Sequence, residues 1–437
     1  MAFLIEAMMT PELISTLIFL VALILILTEK LDRTIVSMIG AAAMVAAGQA
    51  MGFYDEHLAV EAVDFETLGL LFGMMTLVAL LKPTGAFEYL AVRTAKLSGG
   101  RPVILLILLG LVTSVLSMIL DNVTTVVLIA PVTVLITEIL GISAIPFLIT
   151  EALLSNTGGV ATLIGDPPNI LIGSAAGLTF NDFLTHSLPV VIFAWVAALG
   201  VILWIFRKQL SVVPKDTKAL EGLEPSQALH NPSDARKLTL VLAITVLLFF
   251  LQNLLHLSSS FIALAMAAIA LVWIRPTVDE TLERVEWSVL VFFAGLFVMV
   301  GGLEASGALL FLEDLILQLS GGSMVYTAIA IIWITAIASS LVDNIPITVA
   351  LIPVIQDLGA KGIDVFPLWW ALAFGAGFGG NGTIIGSTAN VIVVQISSKT
   401  RNPITARLWM RSGLPVMFAT CLISSLAFLL VFSLFTK

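Results

Sequence analysis

Two acid–amide pairs stand where apolar sequence would otherwise run unbroken. Asp121-Asn122 and Asp343-Asn344 each sit between apolar arms, each acid ten residues before a proline (Pro131, Pro353), and the copies are 222 positions apart (343 − 121). An acid and an amide are expensive in lipid, so a functional site is their default meaning. Asn122 and Asn344 offer donors and acceptors together. Asp121 and Asp343 can bind a cation or carry a proton. Thr124 and Thr125 add hydroxyls to the first tip; the second has Thr348, after Pro346. The plainer role of each Asp is to cap the helix that follows.

A second pair of polar stretches interrupts apolar sequence further on. Gly165-Asp166-Pro167-Pro168-Asn169 answers Gly386-Ser387-Thr388-Ala389-Asn390, with Thr162 and Thr383 just before. Two successive prolines cannot continue a regular helix. Glycine permits close backbone approach, and unwound carbonyls can coordinate a cation or accept from a polyol. Asp166 has no acidic counterpart, since Ser387 or Thr388 stands there. A buried carboxylate is costly to ionise and can exchange a proton, which makes Asp166 the coupling acid. Its plainer role is to cap the helix starting at Pro167.

These residues need an apolar scaffold, and the composition supplies one. The chain has 437 residues, 59% hydrophobic and only 11% charged, where soluble domains carry about 25%. It is an all-α polytopic membrane protein. The net charge of −9 is confined to loops, and no basic patch interleaved with aromatics suggests nucleic acid. One cysteine, Cys421, excludes an internal disulfide and a cysteine metal site. No cleavable signal pattern opens the chain. Glu138 and Glu151 read as surface or edge residues, and the four histidines as interfacial.

The spacing predicts re-entrant hairpins around each Asp-Asn tip and broken transmembrane helices through each Gly-Asn gap. It also predicts short interfacial stretches at 84–97 and 307–319. Thr84-Gly85-Ala86 answers Ser306-Gly307-Ala308, and Gly159, Thr162, Gly165 and Asn169 answer Gly380, Thr383, Gly386 and Asn390. The chain therefore divides into a first repeat (1–206), a hydrophilic linker (207–237) and a second repeat (238–437). With the N-terminus outside, all Lys and Arg except Lys361 and Lys437 fall on the cytoplasmic side, the linker included. The hairpins then enter from opposite sides, so the repeats are inverted. Paired inverted broken segments are the signature of a secondary transporter with a midplane site.

At the stretches DNVTTVVLIAPV and SNTGGVATLIGDPPNILIGSAAG the chain resembles the arsenite permease / P protein / sodium–proton antiporter branch of the ion transporter superfamily. The resemblance implies a cargo site built from Asp121–Thr125, Gly165–Asn169, Asp343–Ile345 and Gly386–Asn390. It implies elevator-type motion, a homodimer, the cytoplasmic (inner) membrane, and a cytoplasmic ATPase partner as in some arsenite pumps. Related dicarboxylate carriers place Ser-Asn-Thr at the tips; Asp-Asn-Val and Asp-Asn-Ile here argue against a dicarboxylate.

The leading expectation is proton-driven export of arsenite or antimonite, with no cofactor. Arsenous acid is an uncharged triol that needs hydrogen-bonding groups, not a compensating charge. Asn122, Thr124, Thr125, Thr162, Gly165, Asn169, Asn344, Thr383, Gly386, Ser387 and Asn390 would bind it. Asp166, Asp121 and Asp343 would couple it to protons. The alternative is sodium–proton antiport, since three acids suit a hard cation, or carriage of another small anion as elsewhere in that superfamily. An aspartyl protease, the enzymatic alternative, would need continuous facing helices rather than a double proline.

Overall fold

The computed structural model describes residues 10–28, 31–214, 222, 224–310, 323–400 and 403–436. They form helices and turns, with no strand among the described residues. Eight of these helices are long and apolar enough to cross a membrane, so the chain is a multi-pass membrane protein. The first half contains α1 (Pro11–Leu27), α2 (Arg33–Met51), α3 (Phe65–Leu81), α4 (Ala86–Leu97), α5 (Pro102–Ser117), α6 (Asn122–Leu140), α7 (Ile145–Gly159), α8 (Pro167–Ala176) and α9 (Leu188–Leu210). The second contains α10 (Pro232–Leu255), α11 (Ser259–Ile274), α12 (Trp287–Ser306), α13 (Met324–Leu341), α14 (Asn344–Ala360), α15 (Phe366–Gly379), α16 (Thr388–Ser397) and α17 (Ala406–Leu430).

Local chemistry sets most of these boundaries. Asp32, Asp64 and Asp121 accept backbone N–H bonds at the starts of α2, α3 and α6. Proline stands in the first turn of α1, α5, α7, α8, α10 and α15, where its missing N–H costs nothing. Gly52, Gly141, Gly177 and Gly307 end α2, α6, α8 and α12 with positive φ. Pro131 and Pro353 lie inside α6 and α14. The second arm of each hairpin is longer than the sequence suggests, because α6 and α14 begin at the tip asparagines themselves.

Element bounds recur between the halves: α5, α6, α7 and α8 are followed in the same order by α13, α14, α15 and α16. The linker is shorter than its hydrophilic composition implies. Arg207–Leu210 continue α9 and Pro232–Lys237 open α10. Within it, His230 donates its backbone N–H to Thr84 O at 3.0 Å, so its end is pinned beside α4. Most of the stretch at 307–319 lies outside the described residues.

The helices pack as two groups. In the framework, α2 packs on α1 and α12, and α3 on α10, α11 and α12. In the hairpin bundle, α5 packs on α7, α13 on α15, and α9 on α17; α16 lies on α6 and α8 on α14. Glycines let the backbones close in, as expected inside a membrane. A Cβ on Gly73 would meet the Ala263 backbone at 2.6 Å, and one on Gly295 would meet that of Ser37 at 2.9 Å. Helices α7 and α15 are buried along their whole length, at the centre of the bundle. Both broken segments therefore run through its interior.

Candidate functional site

The two breaks are built alike. Helix α7 stops at Gly159 and α8 starts at Pro167, leaving carbonyls without helical partners. Asn169 supplies them: its Nδ2 donates to Gly159 O (3.0 Å) and Thr162 O (2.7 Å). In the second half Asn390 Nδ2 donates to Gly380 O (2.7 Å) and Thr383 O (2.9 Å). The threonine hydroxyls reach across to the tips, Thr162 to Met118 O and Thr383 to Ser340 O. Ser117 and Ser339 return the tie, donating to Ser155 O (2.8 Å) and Ala376 O (2.7 Å). Thr162, Gly165, Asn169, Thr383, Gly386 and Asn390 thus hold each break against its own tip.

Both tips meet at Asp166, in the first break. Its carboxylate is fully buried and accepts from Asn122 Nδ2 at 3.3 Å and from Asn344 Nδ2 at 3.2 and 3.1 Å. One amide comes from each tip. A second layer lies against the first. Asn122 Nδ2 also donates to Asn156 Oδ1 (3.1 Å), as does Ser387 Oγ (3.0 Å). Asn156 Nδ2 in turn donates to Asn381 Oδ1 (3.1 Å) and Asn390 Oδ1 (3.0 Å). The result is one buried polar network joining the halves, whose members polarise one another.

The tip acids stand outside this centre. Asp121 is a cap: its carboxylate accepts from Thr124 N (2.7 Å) and Thr124 Oγ1 (2.6 Å), while Thr125 Oγ1 donates to Asp121 O (3.0 Å). Asp343 is differently placed. Its Oδ2 accepts from Thr388 Oγ1 (3.1 Å) and from Arg33 Nη1 (3.4 Å), a framework side chain.

Two network members, and the arginine beside the second tip, escape a reading by matched motifs. Asn156 aligns with Gly377 and Asn381 with Val160, so neither has a polar echo. A polar residue opposite a glycine or valine in the aligned repeat is the signal that finds them. Arg33 opens α2 and looks like an ordinary cytoplasmic charge. Glu151 corrects the sequence reading outright. It is fully buried in α7, bonded to Thr133 through Oε1, with Oε2 lacking a partner.

Glu286, just before α12, lies within electrostatic reach of Asp121, Arg33 and Lys82. Burial and the Asp121 charge push its carboxyl up to about 7, against the pull of Arg33 and Lys82. It is neutral below that pH and gains a negative charge beside the first tip above it. Glu286→Gln is expected to flatten the part of the transport–pH profile centred near 7. A profile unchanged in everted vesicles would remove Glu286 from the cycle.

Known proteins resemble this chain over nearly its whole length. An uncharacterized transporter of Mycobacterium tuberculosis is 38% identical over 418 residues, covering 95% of this chain and 97% of its own. The human P protein is 32% identical over 510 residues, covering 97% of this chain, which spans 60% of that protein. In the solved structures, the YdaH transporter of Alcanivorax borkumensis, described as having an unusual topology, superposes with a TM-score of 0.54 at 16% identity. That match covers 96% of this chain and 98% of YdaH, and it is a likeness of fold. A family model described as citrate transporter matches residues 23–375, so the chain belongs to that family of membrane transporters.

Proposed function

We propose that the chain is a proton-coupled secondary transporter for a small neutral or cationic solute, with arsenous or antimonous acid exported across the cytoplasmic membrane as the leading cargo. The observation that carries this reading is the grip of two tip amides, one from each hairpin, on the single carboxylate of Asp166. An ionised Asp166 accepts O–H bonds from a bound triol, whose oxygens accept from the two tip amides. A proton on Asp166 takes that acceptor away. Proton and cargo thus compete for the Asp166 carboxylate, which is the requirement for exchange.

The family's description raises citrate itself as a cargo. Three carboxylates, Asp121, Asp166 and Asp343, stand at or beside the centre, with Arg33 next to Asp343, so a trianion placed among them would meet mostly like charge. The same three acids favour a second reading, sodium–proton antiport, because a hard cation prefers oxygen ligands. Either way the repeats would be inverted, and the hairpin bundle would move against the framework as an elevator, within a dimer. The cavity beside Arg33 opens at the N-terminal end of α2, the end assigned to the cytoplasm by the distribution of Lys and Arg.

Everted vesicles decide between cargoes. Energised vesicles are expected to accumulate arsenite, with dissipation of the proton gradient reported by a pH dye. Sodium-dependent dequenching without arsenite uptake transfers the assignment to sodium–proton antiport. If neither solute moves protons, the proposal is lost.

A further inference from the structure

A framework arginine occupies the second tip. Arg33 Nη1 lies 2.7 Å from Thr388 Oγ1 and 3.4 Å from Asp343 Oδ2, and Thr388 and Asp343 are themselves 3.1 Å apart. The guanidinium is braced over the ring of Phe292, 5.3 Å from its centroid, on framework helix α12. The first tip offers no parallel to the hydroxyl, because Pro167 stands where Thr388 does. The contact can be reached from the cavity beside it. Arg33 and Asp343 side chains are 27% and 16% exposed, and both line a cavity of about 520 Å³ together with Asp32, Gln395 and Ile385.

We infer that Asp343 and Thr388 form a monovalent-cation site, for a proton or sodium, which Arg33 fills as a tethered cation until an entering one displaces it. This rests on the reading of a proton-coupled carrier and assigns it a second coupling position apart from Asp166. Arg33 belongs to the framework, whereas Asp343 and Thr388 belong to the hairpin bundle. Displacement therefore also unfastens the bundle from the framework. An empty carrier stays fastened, and a cation-loaded one is free to move.

The charges around the site fit this role. Asp343 faces Arg33 from α2 and Asp166 from α8. Arg33 faces Glu286 at the start of α12, which in turn faces Lys82 and Asp121. Beside Arg33, the backbone N–H of Thr34 holds the Asp32 carboxyl below the usual range, so the cavity wall keeps a fixed negative charge. That wall attracts cations toward the site and gives a displaced Arg33 somewhere to turn.

The test uses the full chain. Cys421 is buried, so two cysteines introduced at Leu31 and Val391 on the cavity wall can be bridged by a bifunctional thiol reagent with Arg33 left in place. Bridging, normalised to labelling of each single-cysteine variant at the same pH, is expected to slow on acidification if the displacing cation is a proton. It should slow with sodium at fixed pH if that cation is sodium. Adding Arg33→Gln should make bridging slow and indifferent to both. In transport, Arg33→Gln is expected to reach half-maximal rate at about tenfold lower proton concentration, the size of an Asp–Arg pairing. Arg33→Lys should restore most of the native profile. Bridging that ignores acid, sodium and Arg33→Gln, with proton-linked flux still present in the native chain, overturns the inference and spares the carrier reading. Absence of proton-linked flux in the native chain removes the carrier reading instead.

Discussion

Asp166→Asn is expected to abolish proton-linked flux in a protein that still inserts and folds. The replacement is nearly isosteric, so the break and both tips keep their packing. The chemistry changes at once. Asn344 Nδ2 donates to both oxygens of Asp166, and an amide at 166 turns an N–H group toward one of those donors. Asn122 loses a charged acceptor as well. Hydrogen bonds to charged groups contribute about 1.5–3 kcal/mol each. Losing even one from the rate-limiting state slows flux about tenfold or more, and loss of the exchangeable proton removes coupling altogether. Asn122→Ala and Asn344→Ala should each produce a comparable loss, since each leaves Asp166 with one tip. Transport and its pH dependence in vesicles, against surface-normalised protein, provide the measurement. A native pH profile in Asp166→Asn would exclude it as the coupling acid, and near-native flux in both alanine variants would exclude the midplane site.

What could be read from the sequence, and what could not, divides along the repeat. Features present twice were legible. The Asp-Asn tips, the Gly-to-Asn gaps and the matching prolines recur at a nearly constant offset, and the structure brings both tips and both gaps together. Features present once were obscured. Asn156 sits five residues from Glu151 in a helix whose neighbours are mostly apolar, and nothing in its type separates a network amide from a satisfied core residue. Asn381 is hidden in a glycine-rich turn. Several matched residues also carry a structural duty that their type does not announce. Asn169 and Asn390 looked like ligand groups because amides suit a polyol, yet their Nδ2 atoms satisfy carbonyls stranded by the breaks they create. A break inside lipid must satisfy its own backbone first, so the residues that mark a gap most clearly are those spent on closing it. Arg33 was illegible for another reason. Its partner is 310 positions away, and only the packing of α2 against the bundle brings them together.

Those closing residues make Gly165→Ala a severe substitution for the site. Gly165 does not rely on unusual backbone angles. The constraint is space: an added Cβ would stand 2.5 Å from Gly159 O and 2.6 Å from Ser117 O. Both obstacles are backbone oxygens, one in the broken helix and one at the hairpin tip, so no side chain can swing aside. The strand of chain between Gly159 and Pro167 would have to move away from the tip. That movement would stretch the Thr162 bond to Met118 O and pull Asp166 off Asn122. Overpacking of this kind costs about 1–3 kcal/mol and occasionally more. Gly386→Ala provides an internal control, because the equivalent distances are 2.8 Å to Gly380 O and 3.1 Å to Ser339 O. The second break must also shift, but its nearest oxygen stands 0.3 Å farther off (2.8 − 2.5 Å), so it has less to give. The expected order is a large fall in melting temperature and near-complete loss of flux for Gly165→Ala, with a smaller fall and partial flux for Gly386→Ala. Thermal melts of the purified proteins, paired with vesicle transport, measure both. Equal behaviour of the two variants would mean that the first break is not the tighter joint, and that Asp166 owes its place to the asparagine network rather than to the close fit of Gly165.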